Sequence, residues 1–117
     1  MSFFAIMPSL KTLNTTSIIS NTTLVESNNL IGCDTSGGSA ITVTLPPLSN
    51  IKNGKIYIIK DEGGVASTNN ITITGYNEDT IDGSSKIIMT VNYSNIIIYG
   101  RKNYGWFVLC TYPLPIS

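Results

Sequence analysis

Three carboxylates, Glu78, Asp79 and Asp82, fall close together in "YNEDTIDGSS", between two stretches rich in branched apolar residues. Acids this close suit two chemistries, oxygen ligation of a cation or a proton shared between an acid and a base. A calcium loop of the EF-hand type alternates its acids around a central glycine, ends on a distal glutamate and is flanked by helices. "NEDTIDGSSKII" has neither the alternation nor the helices. Glycoside hydrolysis sets two carboxyls facing each other across a cleft, whereas neighbours on a turn point into water. Asp79 and Asp82 therefore need a distant partner for that role, such as Asp61 or Glu26. A chain reversal asks for less. Asp79 and Asp82 accept backbone N–H groups in Asx-type turns, Gly83 takes positive φ, and Ile81, alone among polar neighbours, tucks inward. The sequence favours this structural turn of Asp79, Asp82 and Gly83, with a cation site as the alternative.

Elsewhere the chain is poor in catalytic vocabulary. It has no histidine, which removes Ser-His and Cys-His nucleophile pairs and His-based zinc sites. It lacks G-x-S-x-G, Walker and G-x-G-x-x-G patterns. No catalytic residue, metal-ligand set or cofactor is assigned, and the reading is a non-enzyme. Seven Lys plus Arg balance seven Asp plus Glu and are scattered, so no phosphate-tracking surface forms and nucleic acid is not an expected partner. The aromatic residues offer binding chemistry instead, because apolar sugar faces lie well on flat side chains. Trp106 and Phe107 sit in an apolar run and read as core or interface. Tyr76 and Tyr104, each beside a glycine in a turn, are the candidate ligand contacts.

The elements that must position these residues read as strands. "ITVTL" alternates, with Ile41, Val43 and Leu45 on one face and Thr42 and Thr44 on the other; "ITIT" repeats the device at Ile71 to Thr74. Segments such as "DTSGG", "LPPLSNIKNG", "DEGG", "NEDTIDG" and "RKNYG" supply the Gly, Pro, Asn and Asp of tight turns. Roughly seven or eight strands follow, with no amphipathic helix. "KIYIIK", "NIIIYG" and "WFVLC" are apolar on both faces, and such strands need cover on both. With no helices to supply it, the second face points toward another subunit; the alternative is a central strand with loops folded over it. Ile97, Tyr99, Phe107 and Leu109 are the expected interface residues. Only 12% of residues are charged, so Ser, Thr and Asn must wet the surface. "MSFFAIMPSLKTLNTT" has no basic residue ahead of its apolar patch and is interrupted by Pro8, so neither a signal peptide, an anchor nor a membrane partner is expected. Cys33 and Cys110 read as two buried thiols, with a disulfide as the alternative.

Read continuously from about Thr22 to Leu109, the chain resembles a β-strand module of bacteriophage tail and head fibres and of virion proteins of large DNA viruses and virophages. The resemblance is carried by the order "DTSGG", "ITVTLP", "KIYIIKDEGG", "NNITIT", "DTIDG" and a last hairpin closing on an aromatic, "IIIYGRKNYGWFVL". It implies an all-β module, an antiparallel β-sandwich or jelly-roll-like fold assembled as a homotrimer, and it carries no catalytic residues across. The expected organisation is a short N-terminal segment (1–21) for attachment or trimer contact, the β module (22–112) and a tail (113–117). The expected function is a non-enzymatic structural protein, fibre-like or decorating, located in the virion or, as the alternative, in host cytoplasm during infection. Its partners are itself and, beyond that, other capsid proteins or a host glycan. The alternative is a recognition module that binds glycan or protein through exposed loop aromatics.

Overall fold

The computed structural model describes residues 12–113. Residues 1–11 of the expected attachment segment and residues 114–117 of the tail lie outside the described residues. Among the described residues nine strands run in chain order: β1 (Thr15–Ile18), β2 (Thr22–Thr23), β3 (Leu30–Cys33), β4 (Ile41–Thr44), β5 (Ile56–Asp61), β6 (Ile71–Thr74), β7 (Lys86–Met89), β8 (Asn95–Arg101) and β9 (Gly105–Tyr112). Two 3-10 turns, Thr35–Gly37 and Leu48–Asn50, accompany the strands among the described residues. The first strand thus begins inside the stretch read as the N-terminal segment.

The strands form two sheets, β1-β3-β5-β8-β9 and β2-β4-β6-β7. From β1 to β6 the chain alternates between them, and each strand pairs with the one two ahead in parallel, as in Ile31 beside Ile59 and Ile41 beside Ile71. The all-β, two-sheet architecture is as expected; the parallel pairs correct the antiparallel part of that expectation. A parallel pair needs a crossover connection; here each crossover is itself a strand of the opposite sheet, so the chain winds as a flattened coil. Antiparallel pairing begins only at β7, which folds back on β6, and continues with β8 on β5 and β9 on β8. The local alternation of "ITVTL" and "ITIT" fixes which side chains face inward but not which strand lies alongside.

Between the sheets lies one apolar cluster, drawing Ile31, Tyr57, Ile59, Ile96, Ile98 and Trp106 from the first sheet and Ile41, Val43, Ile71 and Ile73 from the second. The outer faces differ. On the four-stranded sheet Thr42, Thr44, Thr72 and Thr74 face outward, and their strands read buried and half-buried in strict alternation. On the five-stranded sheet the outward positions are Leu30, Ile56, Ile58, Ile97, Tyr99 and Phe107, aligned as rows across the strands: Leu30, Ile58 and Ile97 in one, Ile56, Tyr99 and Phe107 in the next.

Candidate functional site

The acidic corner lies between β6 and β7. Asp82 and Gly83 both have positive φ, 49° and 80°, and Ile81 and Ser84 exchange N–H···O bonds of 2.7 and 2.9 Å across them. This is the two-residue reversal of primed turns, in which both central residues are left-handed and glycine is favoured. Asp79 N–H closes a separate turn onto the Tyr76 carbonyl at 2.9 Å. A side chain at Gly75 would run into the Asp79 carbonyl, so glycine there lets the chain pass close beneath the corner. Ile81, fully buried, forms a parallel bridge with Trp106.

Two of the three carboxylates are engaged by backbone. Asp79 Oδ2 accepts the Leu48 N–H at 3.0 Å, and Asp82 Oδ1 accepts the Val108 N–H at 3.1 Å. The Trp106 N–H donates to the Thr80 carbonyl at 2.8 Å, and the Asp82 N–H to the Trp106 carbonyl at 2.9 Å. The corner is therefore sewn to the start of β9 and to the 3-10 turn at Leu48. Glu78 remains exposed. Asp61, the distant acid considered as a catalytic partner, is fully buried with its carboxylate taken up by Thr35, Gly64, Ala66 and Tyr93.

This sewing encloses an open cleft of about 840 Å³ between the corner, the β8–β9 turn and the Pro47–Ser49 segment. Tyr76 and Tyr104 both line it, although they come from turns far apart in sequence, and they are 41% and 71% exposed. Asn103, at the tip of the β8–β9 turn with φ 67°, and Lys102 line the cleft together with Glu78 and Asp79. The Arg101 guanidinium lies 5.0 Å from the Tyr104 ring centroid, a cation–π contact. Sequence reasoning singled out the two tyrosines through their neighbouring glycines but missed Ser49, Lys102 and Asn103. These are ordinary turn residues with no spacing to mark them.

Of the expected interface residues, Ile97, Tyr99 and Phe107 lie half-buried on the outer face of the five-stranded sheet. The Tyr99 and Phe107 rings are 5.6 Å apart. Leu109, 59% exposed, sits at a register shift where β9 steps between partners Val108 and Cys110. Ile56 and Ile58 on the same face were signalled by the two-sided apolar run "KIYIIK", whereas nothing in the short segment "LIGC" marks Leu30 as their neighbour. Both cysteines are free; Cys33 is buried as expected, whereas Cys110 is exposed, which corrects the reading of two buried thiols.

No curated protein matches the chain. The family model for the bacteriophage T4 gp9/10-like protein, N-terminal, matches residues 8–113, spanning every strand described above and the whole of the cleft. On that match the chain belongs to the T4 gp9/10-like family of bacteriophage structural proteins of the tail and its fibres.

Proposed function

We propose that this protein is a non-enzymatic structural module of a virus particle, fibre-like or decorating, which self-associates as a homotrimer through the outer face of its five-stranded sheet. The observation that supports self-association is the contrast between the two outer faces, lined by Thr42, Thr44, Thr72 and Thr74 with Lys86 and a lone Ile88 on one sheet, and carrying aligned rows of Ile, Leu, Tyr and Phe on the other. Contiguous apolar surface of this kind marks association sites. In this reading Ile97, Tyr99, Phe107 and Leu109 are interface residues, and Asp79, Asp82 and Gly83 are architecture. The protein resides in the virion, and in host cytoplasm during infection, with itself and other capsid proteins as partners. Mass spectrometry of purified particles tests the role: the protein should be a stoichiometric component, and its absence from particles alongside abundance in infected cells removes the structural reading.

The cleft supports a second reading, a recognition module whose contacts to host glycan or protein are Tyr76 and Tyr104. It does not compete with the first for surface, because the cleft is built by turns and the apolar rows by strands. Attachment of fluorescently labelled protein to host cells tests it. Attachment undiminished by Tyr76→Ala with Tyr104→Ala counts against it.

A further inference from the structure

We propose that the cleft between the acidic corner and the β8–β9 turn binds a neutral saccharide, with sugar rings lying on Tyr76 and Tyr104 and their hydroxyls meeting the polar groups between. The proposal rests on the recognition reading and supplies its ligand class.

Size and shape come first. A cleft of about 840 Å³ falls within the span of roughly 300–1,000 Å³ that small-ligand sites occupy. It is also preformed. Asp79 holds the Leu48 segment, Asp82 holds β9, and the Trp106 and Asp82 N–H groups tie the corner to the strand beside it. Little ordering is left for a ligand to impose, and preorganisation of that kind favours binding.

Chemistry narrows the ligand. Tyrosine presents a flat apolar body and a polar tip, and two of them stand exposed in one cleft whose other lining residues are mostly polar, Pro47, Leu48 and Gly105 apart. Sugar hydroxyls both donate and accept. Asn77 and Asn103 amides offer both functions, Ser49 and Thr80 hydroxyls likewise, and carboxylates accept only. Charge then separates neutral from acidic sugars. Glu78 and Asp79 line the cleft against a single lining cation, Lys102, and Arg101 is placed over the Tyr104 ring. A uronate, sialate or phosphate entering there meets like charge, which disfavours it. A peptide is a poorer fit, because extended peptides add to free strand edges. Here the turn N–H groups of Asp79, Tyr104 and Trp106 are already bonded to Tyr76, Arg101 and Thr80 carbonyls.

The test titrates the full chain with maltotriose, cellotriose and chitotriose, and in parallel with a sialylated trisaccharide and an oligogalacturonate, following backbone amide signals by NMR. At least one neutral probe should shift the signals of Tyr76, Asn103 and Gly105. Tyr76→Ala and Tyr104→Ala should each weaken that binding about tenfold, the scale of one aromatic contact. Tyr112→Ala, an exposed tyrosine outside the cleft, should not, and all three variants should melt as the wild type does. Binding confined to the acidic probes, and weakened by the same two variants, overturns the neutral class while leaving recognition at this cleft standing. Binding of no probe, or binding that both cleft variants retain, overturns the saccharide site. The cell-attachment measurement then decides separately whether the recognition reading falls too.

Discussion

At the end of β5 the Asp61 carboxylate is closed off from water and accepts four hydrogen bonds: the Thr35 hydroxyl at 2.6 Å and the Gly64, Ala66 and Tyr93 N–H groups at 2.9, 3.0 and 3.0 Å. Burial by itself pushes this carboxyl's pKa up. The bonds from Thr35, Tyr93, Ala66 and Gly64 outweigh it and hold the group below its ordinary 3.8. A depressed folded-state pKa contributes stability that is present above the unfolded value and lost as pH falls through the folded one. Wild-type stability, measured by urea unfolding, should therefore fall below about pH 3.8, and Asp61→Asn should flatten that fall. At pH 7 the same variant faces amide hydrogens toward donors, and leaving such groups unpaired costs roughly 1–3 kcal/mol apiece. A variant as stable as wild type at neutral pH contradicts this account. The role was half legible. "DEGG" read as a turn, and carrying the alternation of Tyr57 and Ile59 on to Asp61 points the acid inward; what one strand cannot disclose is that Thr35 and Tyr93 converge on it. Cys33 is a second residue-scale case. Burial first, then the Asp61 and Glu62 charges, push its thiol up to about 12, so it stays protonated and unreactive at neutral pH. A thiol reagent should modify Cys110 but not Cys33 in the folded protein, and both on unfolding. Native labelling of Cys33 overturns this placement.

Among the elements, the corner from Gly75 to Ser85 shows what a turn motif discloses. Its residue types declared a reversal, and Gly83 at φ 80° with open space around its missing Cβ means that substitution there meets backbone strain rather than a clash. Gly83→Val should cost roughly 1 kcal/mol or more, since a β-branched residue is a poor occupant of that region. Gly75→Ala should cost more, because its methyl meets main chain at Asp79 that cannot give without shifting the corner. Thermal unfolding ranks the two, and the reverse order would mean the corner yields easily. Added calcium should leave the melting temperature unchanged, because two of the three acids are already occupied by Leu48 and Val108 N–H groups. A cation bound only by the folded state raises it with concentration, so a calcium-dependent rise abolished by Asp79→Asn with Asp82→Asn would overturn the turn reading. The strands themselves were legible as faces: Ile41, Val43, Leu45, Ile71 and Ile73 are all buried. Their partners were not, because a period of two looks the same in a meander and in a coil that alternates between sheets.

For the whole molecule, the coil sets which surface is left over. Winding between two sheets buries one face of each strand. The other face of the five-stranded sheet keeps Leu30, Ile56, Ile58, Ile97, Tyr99 and Phe107, all half-buried. Fully burying a large apolar side chain is worth about 1.5–3 kcal/mol, and the part of that still available in the two rows is what the proposed trimer would gain. Sedimentation equilibrium should give three times the chain mass, with dissociation coupled to unfolding. Ile97 and Phe107 come from different strands but share this face, so Ile97→Asp and Phe107→Asp should each place a carboxylate in the apolar rows and abolish the trimer. Thr72→Asp, on the outer face of the opposite sheet, should leave it intact and so separates loss of the interface from general damage. A wild type that sediments as a stable monomer, or both face variants remaining folded and trimeric, would mean that the rows are covered by something other than a second and third copy of this chain.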